Sequence, residues 1–299
     1  MSTPAPKGLA REITQFDTRD AARRTIGTVF AVVCFSATVV GIVFLGVLLS
    51  DIWKDGAHRL SGTFMSGFPS YLPVRAGIKP ALLGSLWTLG LTAVISFPIG
   101  VGTAIWLEEY APDNRFTKFV QTNIANLAGV PSIVYGILGL TVFVRLLNFG
   151  NSILAGALTL ALLILPVIII SSQEAIKAVP NSISLGAYAL GATRWETVRF
   201  HVLPQAMPGV LTGTILALSR AIGEAAPMIM IGAAAYIGFS PRGPLDQFTV
   251  IPIQIYNWTS MPQVAFHELA AAGSIVLLAA LLTLNAAAIL LRNKYSRRY

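Results

Sequence analysis

The sequence is poor in the residues that chemistry usually needs. Cys34 is its single cysteine and falls in an apolar stretch, which excludes a disulfide framework and a thiol metal site. His58, His201 and His267 lie far apart, without the spacing that ligates a metal. There is no Gly-x-x-x-x-Gly-Lys-Ser/Thr, so no phosphate-cradling loop is expected in this chain. His-Glu-x-x-His, Gly-x-Ser-x-Gly and paired aspartates within an apolar stretch are missing too, which argues against a membrane-embedded enzyme. Charge is scarce: Asp, Glu, Lys and Arg make up 11% of 299 residues, where soluble domains carry about 25%.

What fills the chain is apolar, with 55% hydrophobic residues and a mean hydropathy of +0.70, the profile of an integral membrane protein with little soluble mass. The net charge of +8 does not point to nucleic acid, because the basic residues flank apolar runs in short loops and form no aromatic-basic surface. The pattern predicts an all-α polytopic fold with six membrane spans. A basic tail over residues 1–25, with 12–25 as a surface helix, precedes a retained anchor at 26–49 and an exterior loop at 50–80. The membrane core, 81–291, follows. Its second span, 81–107, contains Pro98 beside Gly100 and Gly102, read as a kink or a gating hinge. Residues 115–126 read as an amphipathic surface segment.

The third span opens at Gly129-Val130-Pro131-Ser132 and ends near Leu147; Pro131 either starts a helix or marks a discontinuity. A tight turn at 148–151 leads to the fourth span, 152–172. An interior loop at 173–208, a fifth span at 211–231, an exterior segment at 233–267 lying at the membrane surface, a sixth span at 269–291 and a basic tail at 292–299 complete the chain. Lys54, Arg59, Arg75, Lys79, Arg145 and Arg242 then fall outside, Arg220 within the membrane, and all the rest of the 21 Lys and Arg inside, which puts both termini in the cytoplasm.

The fifth span carries two charges. Arg220 and Glu224 are four residues apart, hence on one helix face and within reach of each other. An ionisable side chain at mid-bilayer costs about 2.5–3.5 kcal/mol, so the pair reads either as an internal ion pair or as a polar station on a transport route. A guanidinium has five donors; one carboxylate uses only some, and the rest suit a tetrahedral oxyanion. Pro227 removes the partner of the Gly223 carbonyl and predicts a bend.

The interior loop is long for a connection. It reads as two short helices separated by a glycine turn at Gly191, with Pro204 as a stop. It resembles the cytoplasmic loop of ABC-importer permeases: Leu185-Gly186-Ala187, then Gly191, then His201-Val202-Leu203-Pro204 follow that family's spacing, departing from its Glu and Ala at Leu185 and Gly186 and from its Ile at His201. The segments at 76–84, 128–136, 220–227 and 251–256 are similar to the PstA-type permease of the phosphate-specific ABC importer. This resemblance implies a type I importer permease (MetI-like) fold in the bacterial inner membrane and a non-catalytic subunit forming half of a phosphate pathway. It implies as partners a homologous second permease, a dimeric ABC ATPase that binds the ATP and Mg, an exterior phosphate-binding protein and membrane lipid, but no nucleic acid, and no cofactor or metal in this chain. Arg220 and Glu224 would meet substrate; Gly223, Pro227, Pro131 and Pro98 would break or gate helices; Ala187, Gly191, Ala192, Trp195 and Pro204 would serve ATPase coupling. A permease for another solute, and a secondary transporter or channel, are the alternatives.

Overall fold

A computed structural model describes residues 20–233 and 236–296. The described residues are almost wholly helical, and their one extended pairing is a bridge between Ser152 and Gln247. Five helices are long and apolar enough to cross a membrane, six when one bent pair counts as a single span. By contact the chain divides after Ile52. The first unit is most of α1 (Asp20–Gly56), whose side chains from Arg23 to Asp51 are exposed on every face. The helix begins upstream of the expected anchor at 26–49 and absorbs its flank, so residues 20–25 are not a separate tail; the rest of the expected tail lies outside the described residues.

The second unit is built around α6 (Ile153–Lys177), the most buried of the long helices. α3 (Lys79–Ile105) and α9 (Leu203–Ile222) pack against it. Small residues allow close approach, as they do between membrane helices generally: at Gly213 of α9 a Cβ would collide with Ser171 of α6. Thr92 of α3 donates to the Ala157 carbonyl at 3.2 Å. The amides at the start of α6 are satisfied from a distant turn, Ile153 donating to the Asp246 carbonyl (3.1 Å), Leu154 to that of Pro244 (2.8 Å) and Ala155 to Ser152 Oγ (3.3 Å).

Several expected boundaries move. The exterior loop 50–80 contains α2 (Gly62–Ser66), and its Phe64 is buried against Trp258, with ring centroids 5.8 Å apart. α4 (Arg115–Ala128) and the run from α5 (Ser132–Gly139) through a π-helical continuation, Leu140–Leu146, meet at a 102° bend, the geometry of either a broken span or a re-entrant loop. The interior loop is shorter than 173–208. It holds α7 (Asn181–Ala189), and α8 (Arg194–Thr197) runs through a π-helical turn, Val198–Val202, into α9, making one long helix from Arg194 to Ile222. The segment 233–267 does not simply lie at the surface. It forms α11 (Ile251–Thr259), and Phe248, Ile251 and Trp258 are in the core because α11 folds back on α3 and α12 (Val264–Ser296). α12 continues into the expected tail at 292–299, of which 297–299 lie outside the described residues.

Candidate functional site

The expected fifth span, 211–231, is two helices. α9 stops at Ile222, with Gly223 as its C-terminal residue, and α10 (Ala226–Ile231) starts three residues on. Pro227 therefore begins a helix rather than bending one, since a proline in the first turn loses no helical hydrogen bond. Arg220 lies in the last turn of α9, not mid-span. Its Nε donates to Glu224 Oε1 at 3.2 Å, and among the described residues the guanidinium has no other partner. The two side chains differ in environment, Arg220 being 52% exposed and Glu224 17%. Glu224 faces a narrow pocket walled by Ser85, Thr88, Leu89, Leu160 and Met228. The two hydroxyls there are already engaged, Ser85 Oγ accepting from the Ile251 amide and Thr88 donating to the Gly84 carbonyl. The carboxylate thus holds one edge of the guanidinium and leaves Nη1 and Nη2 for a ligand, an arrangement suited to a phosphate-like oxyanion.

Pro131 precedes the first residue of α5 at the 102° bend, and Tyr135 donates to the Leu127 carbonyl across it at 2.8 Å. At Gly136 a Cβ would lie 2.7 Å from Pro227 Cα, so the bend sits directly against α10. Pro131 and Pro227 therefore belong to neighbouring helices next to Arg220's own break. Pro98 is not part of this cluster. It lies on the exposed face of an uninterrupted α3, and the irregular turn of that helix comes later, at Trp106–Tyr110.

The second part of the site is at the other end of the long helix. Gly191 has φ +87° and closes α7, its amide donating to the Tyr188 carbonyl at 2.9 Å while Ala192 donates to that of Ala187 at 3.1 Å. These are the two bonds of a Schellman ending, which requires a left-handed residue. Thr193 and Glu196 then form a reciprocal capping box at the start of α8. Ala187 is 5% exposed and cannot serve as a contact surface; its carbonyl is what it contributes. Pro204 is no stop either. It sits in the first turn of α9, directly after the π-helical turn, and the long helix runs through it. Gly191 and Trp195 are exposed and Ala192 half-buried.

Three exposed side chains here were not among the expected coupling residues: Leu185, Tyr188 and Leu190, the last 91% exposed. The three-residue spacing of Leu185 and Tyr188 on α7 was the available signal. Arg194 lies over the Tyr110 ring at 5.8 Å, tying the start of the long helix to the end of α3.

Comparisons with known proteins bear on the family and the fold. The family described as binding-protein-dependent transport system inner membrane component matches residues 96–299. The probable ABC transporter permease protein YqgI of Bacillus subtilis (strain 168) is 34% identical over 264 residues, which cover 84% of this chain and 90% of the relative. The phosphate transport system permease protein PstA 1 of Mycobacterium tuberculosis (strain CDC 1551 / Oshkosh) is 31% identical over 287 residues, 94% of this chain and 92% of the relative, so likeness extends upstream of residue 76. A chain of a bacterial alginate ABC transporter, solved in complex with an alginate pentasaccharide-bound periplasmic protein, matches with a TM-score of 0.62 at 16% identity over 94% of this chain and 96% of its own, a likeness of fold.

Proposed function

This chain belongs to the family of binding-protein-dependent transport system inner membrane components, and we propose that it is the permease subunit that conducts inorganic phosphate through an ATP-driven importer. It is a multi-pass inner-membrane protein, an ABC importer permease, and permeases of this kind work with an ATPase and a substrate-binding protein. In our reading this chain provides half of the pathway, a homologous permease provides the rest, and the partner ATPase binds ATP and Mg and does all the hydrolysis. The single observation that carries the phosphate reading is the Arg220–Glu224 pair at the break between α9 and α10, with two guanidinium nitrogens uncommitted. Phosphate requires charge-assisted donors to offset its lost hydration, but a weak hold so that it can leave again. Glu224 meets both demands, orienting the guanidinium and reducing the net positive charge.

Coupling runs along the same helix. The ATPase grips the surface of α7 and α8 around Leu185, Tyr188, Leu190 and Trp195, and the helix from Arg194 to Ile222 carries the movement to Arg220. Family membership sets aside the stand-alone secondary transporter or channel. A permease for another solute is the second reading, since the loop spacing is shared by ABC-importer permeases generally and does not itself select phosphate. Radiolabelled phosphate uptake into proteoliposomes holding the whole complex decides between them: uptake unaffected by excess sulfate is expected, and equal competition by sulfate would refute phosphate specificity.

A further inference from the structure

A cavity of about 470 Å³ shares no wall residue with the Glu224 pocket and is built by residues 69–71 and 236–266, both in stretches that the charge count places outside. Tyr71 and Tyr236 stack on one side, with centroids 5.5 Å and planes 14° apart, and Tyr256, Trp258 and Phe266 add further ring surface. Gln254 also lines it. That side chain is 2% exposed, and its Oε1 has no hydrogen-bond partner among the described residues. A buried amide oxygen left unpaired is costly, which points to a donor that arrives from elsewhere. No charged residue lines the cavity, so an anion finds no counter-charge there and the phosphate path does not run through it. Ring faces around a buried, unpaired acceptor fit an N–H group on an aliphatic or planar stem.

We propose that this cavity is the socket in which the exterior solute-binding protein seats one N–H-bearing side chain, Gln254 Oε1 accepting its hydrogen bond and the tyrosines covering its stem. The inference rests on the importer reading above. The family is by description binding-protein-dependent, and a solved neighbour was captured with its periplasmic protein. Exposed tyrosines around a buried polar floor are also what protein interfaces use as anchors. A phospholipid headgroup fits less well, because its phosphate would need a cation that the wall lacks.

The test titrates the complete complex in nanodiscs with purified, phosphate-loaded binding protein and reads ATPase rate. Tyr71→Ala and Gln254→Leu should each raise the half-stimulating concentration by about tenfold, with the saturated and unstimulated rates unchanged and Tyr71→Phe behaving as wild type. Tyr71 is 76% exposed, so its replacement leaves the fold intact. A photo-crosslinking phenylalanine analogue at Tyr256 should capture the binding protein. An unchanged half-stimulating concentration in both variants overturns the socket and leaves the importer reading standing. Crosslinking to the sister permease or to lipid instead also overturns the socket. Failure of the binding protein to stimulate the unsubstituted complex overturns the importer reading and the socket together.

Discussion

The helix from Arg194 to Ile222 is finished in opposite ways at its two ends. At its start the backbone is fully provided for: a Schellman ending on α7, a capping box at Thr193, and Arg194 laid over Tyr110. At its finish Gly223 closes the helix through backbone turn bonds alone, Gly223 donating to the Arg220 carbonyl and Glu224 to that of Ala221, both at 3.2 Å, and the charge beside it is held by one carboxylate. The first end has the build of a handle that keeps its shape under load. The second has the build of a site whose contacts are exchanged during each cycle. On the function proposed above, a membrane lever gripped at one end and releasing an anion at the other needs this asymmetry.

The largest effect that would break the comparison is at the loosely held end. Arg220→Gln removes two charge-assisted hydrogen bonds to the anion, each worth about 1.5–3 kcal/mol, so phosphate uptake should fall by at least about 100-fold. Co-purification of the ATPase should be untouched, because the handle lies at the far end of the helix. Loss of the assembled complex would instead make the pair a structural ion pair and remove the asymmetry.

Next in size is the handle itself. Gly191 holds φ +87° and a Cβ there would meet nothing, so a substitution acts through backbone strain alone. Gly191→Val forces a β-branched residue into the left-handed region at a cost of about 1–2 kcal/mol, and phosphate moved per ATP hydrolysed should drop about tenfold. Gly191→Asn, which tolerates that region, should stay near wild type. Gly191→Asp tests added charge on the docking surface and should uncouple hydrolysis from transport. If Val and Asn behave alike, the turn is not what transmits force. Smaller still is the strut: Tyr110→Ala removes a ring–guanidinium contact worth about 0.5–1 kcal/mol, lowering the same ratio about two- to fivefold, whereas Tyr110→Phe keeps it.

How much of this could be read from sequence differs between the same two ends. The loop motif and the Arg220–Glu224 spacing were legible because each is local: a glycine turn, a four-residue interval. The helix boundaries were not. Pro204 after charged residues 194–201 looks like a stop, and only the π-helical turn at Val198–Val202 lets the helix continue past it. Gly223 was legible as a helix break, but the extent of the break was not. Glu224, Ala225 and Ala226 are good helix formers, so the segment reads as one bent span around Gly223 rather than as two separate helices. Pro227 was a true signal pointing to the wrong event, a helix start three residues beyond the end. The Arg194–Tyr110 contact and the burial of Phe248 and Trp258 depend on chain segments far apart in sequence, and no local pattern encodes them.

The smallest expected effect asks whether any well-capped helix start would serve as a handle, and α6 provides the control. Asp246 closes the turn that caps it, accepting from the amides of Arg242 (2.7 Å) and Gly243 (2.9 Å) while its carbonyl accepts from Ile153. The Arg242 and Gly243 amides hold its carboxyl below the ordinary aspartate range. A depressed folded-state pKa stabilises the fold at all pH above the unfolded value and loses that contribution as pH falls through the folded one. Asp246→Asn should therefore lower the melting temperature slightly, by a constant amount between pH 7 and about 5, and the gap to wild type should close below about pH 4. Phosphate moved per ATP should not change, since this cap lies on neither end of the long helix. A fall in that ratio matching the Gly191→Val effect would mean that coupling tracks helix capping in general, and that the handle at Arg194 has no special claim to it.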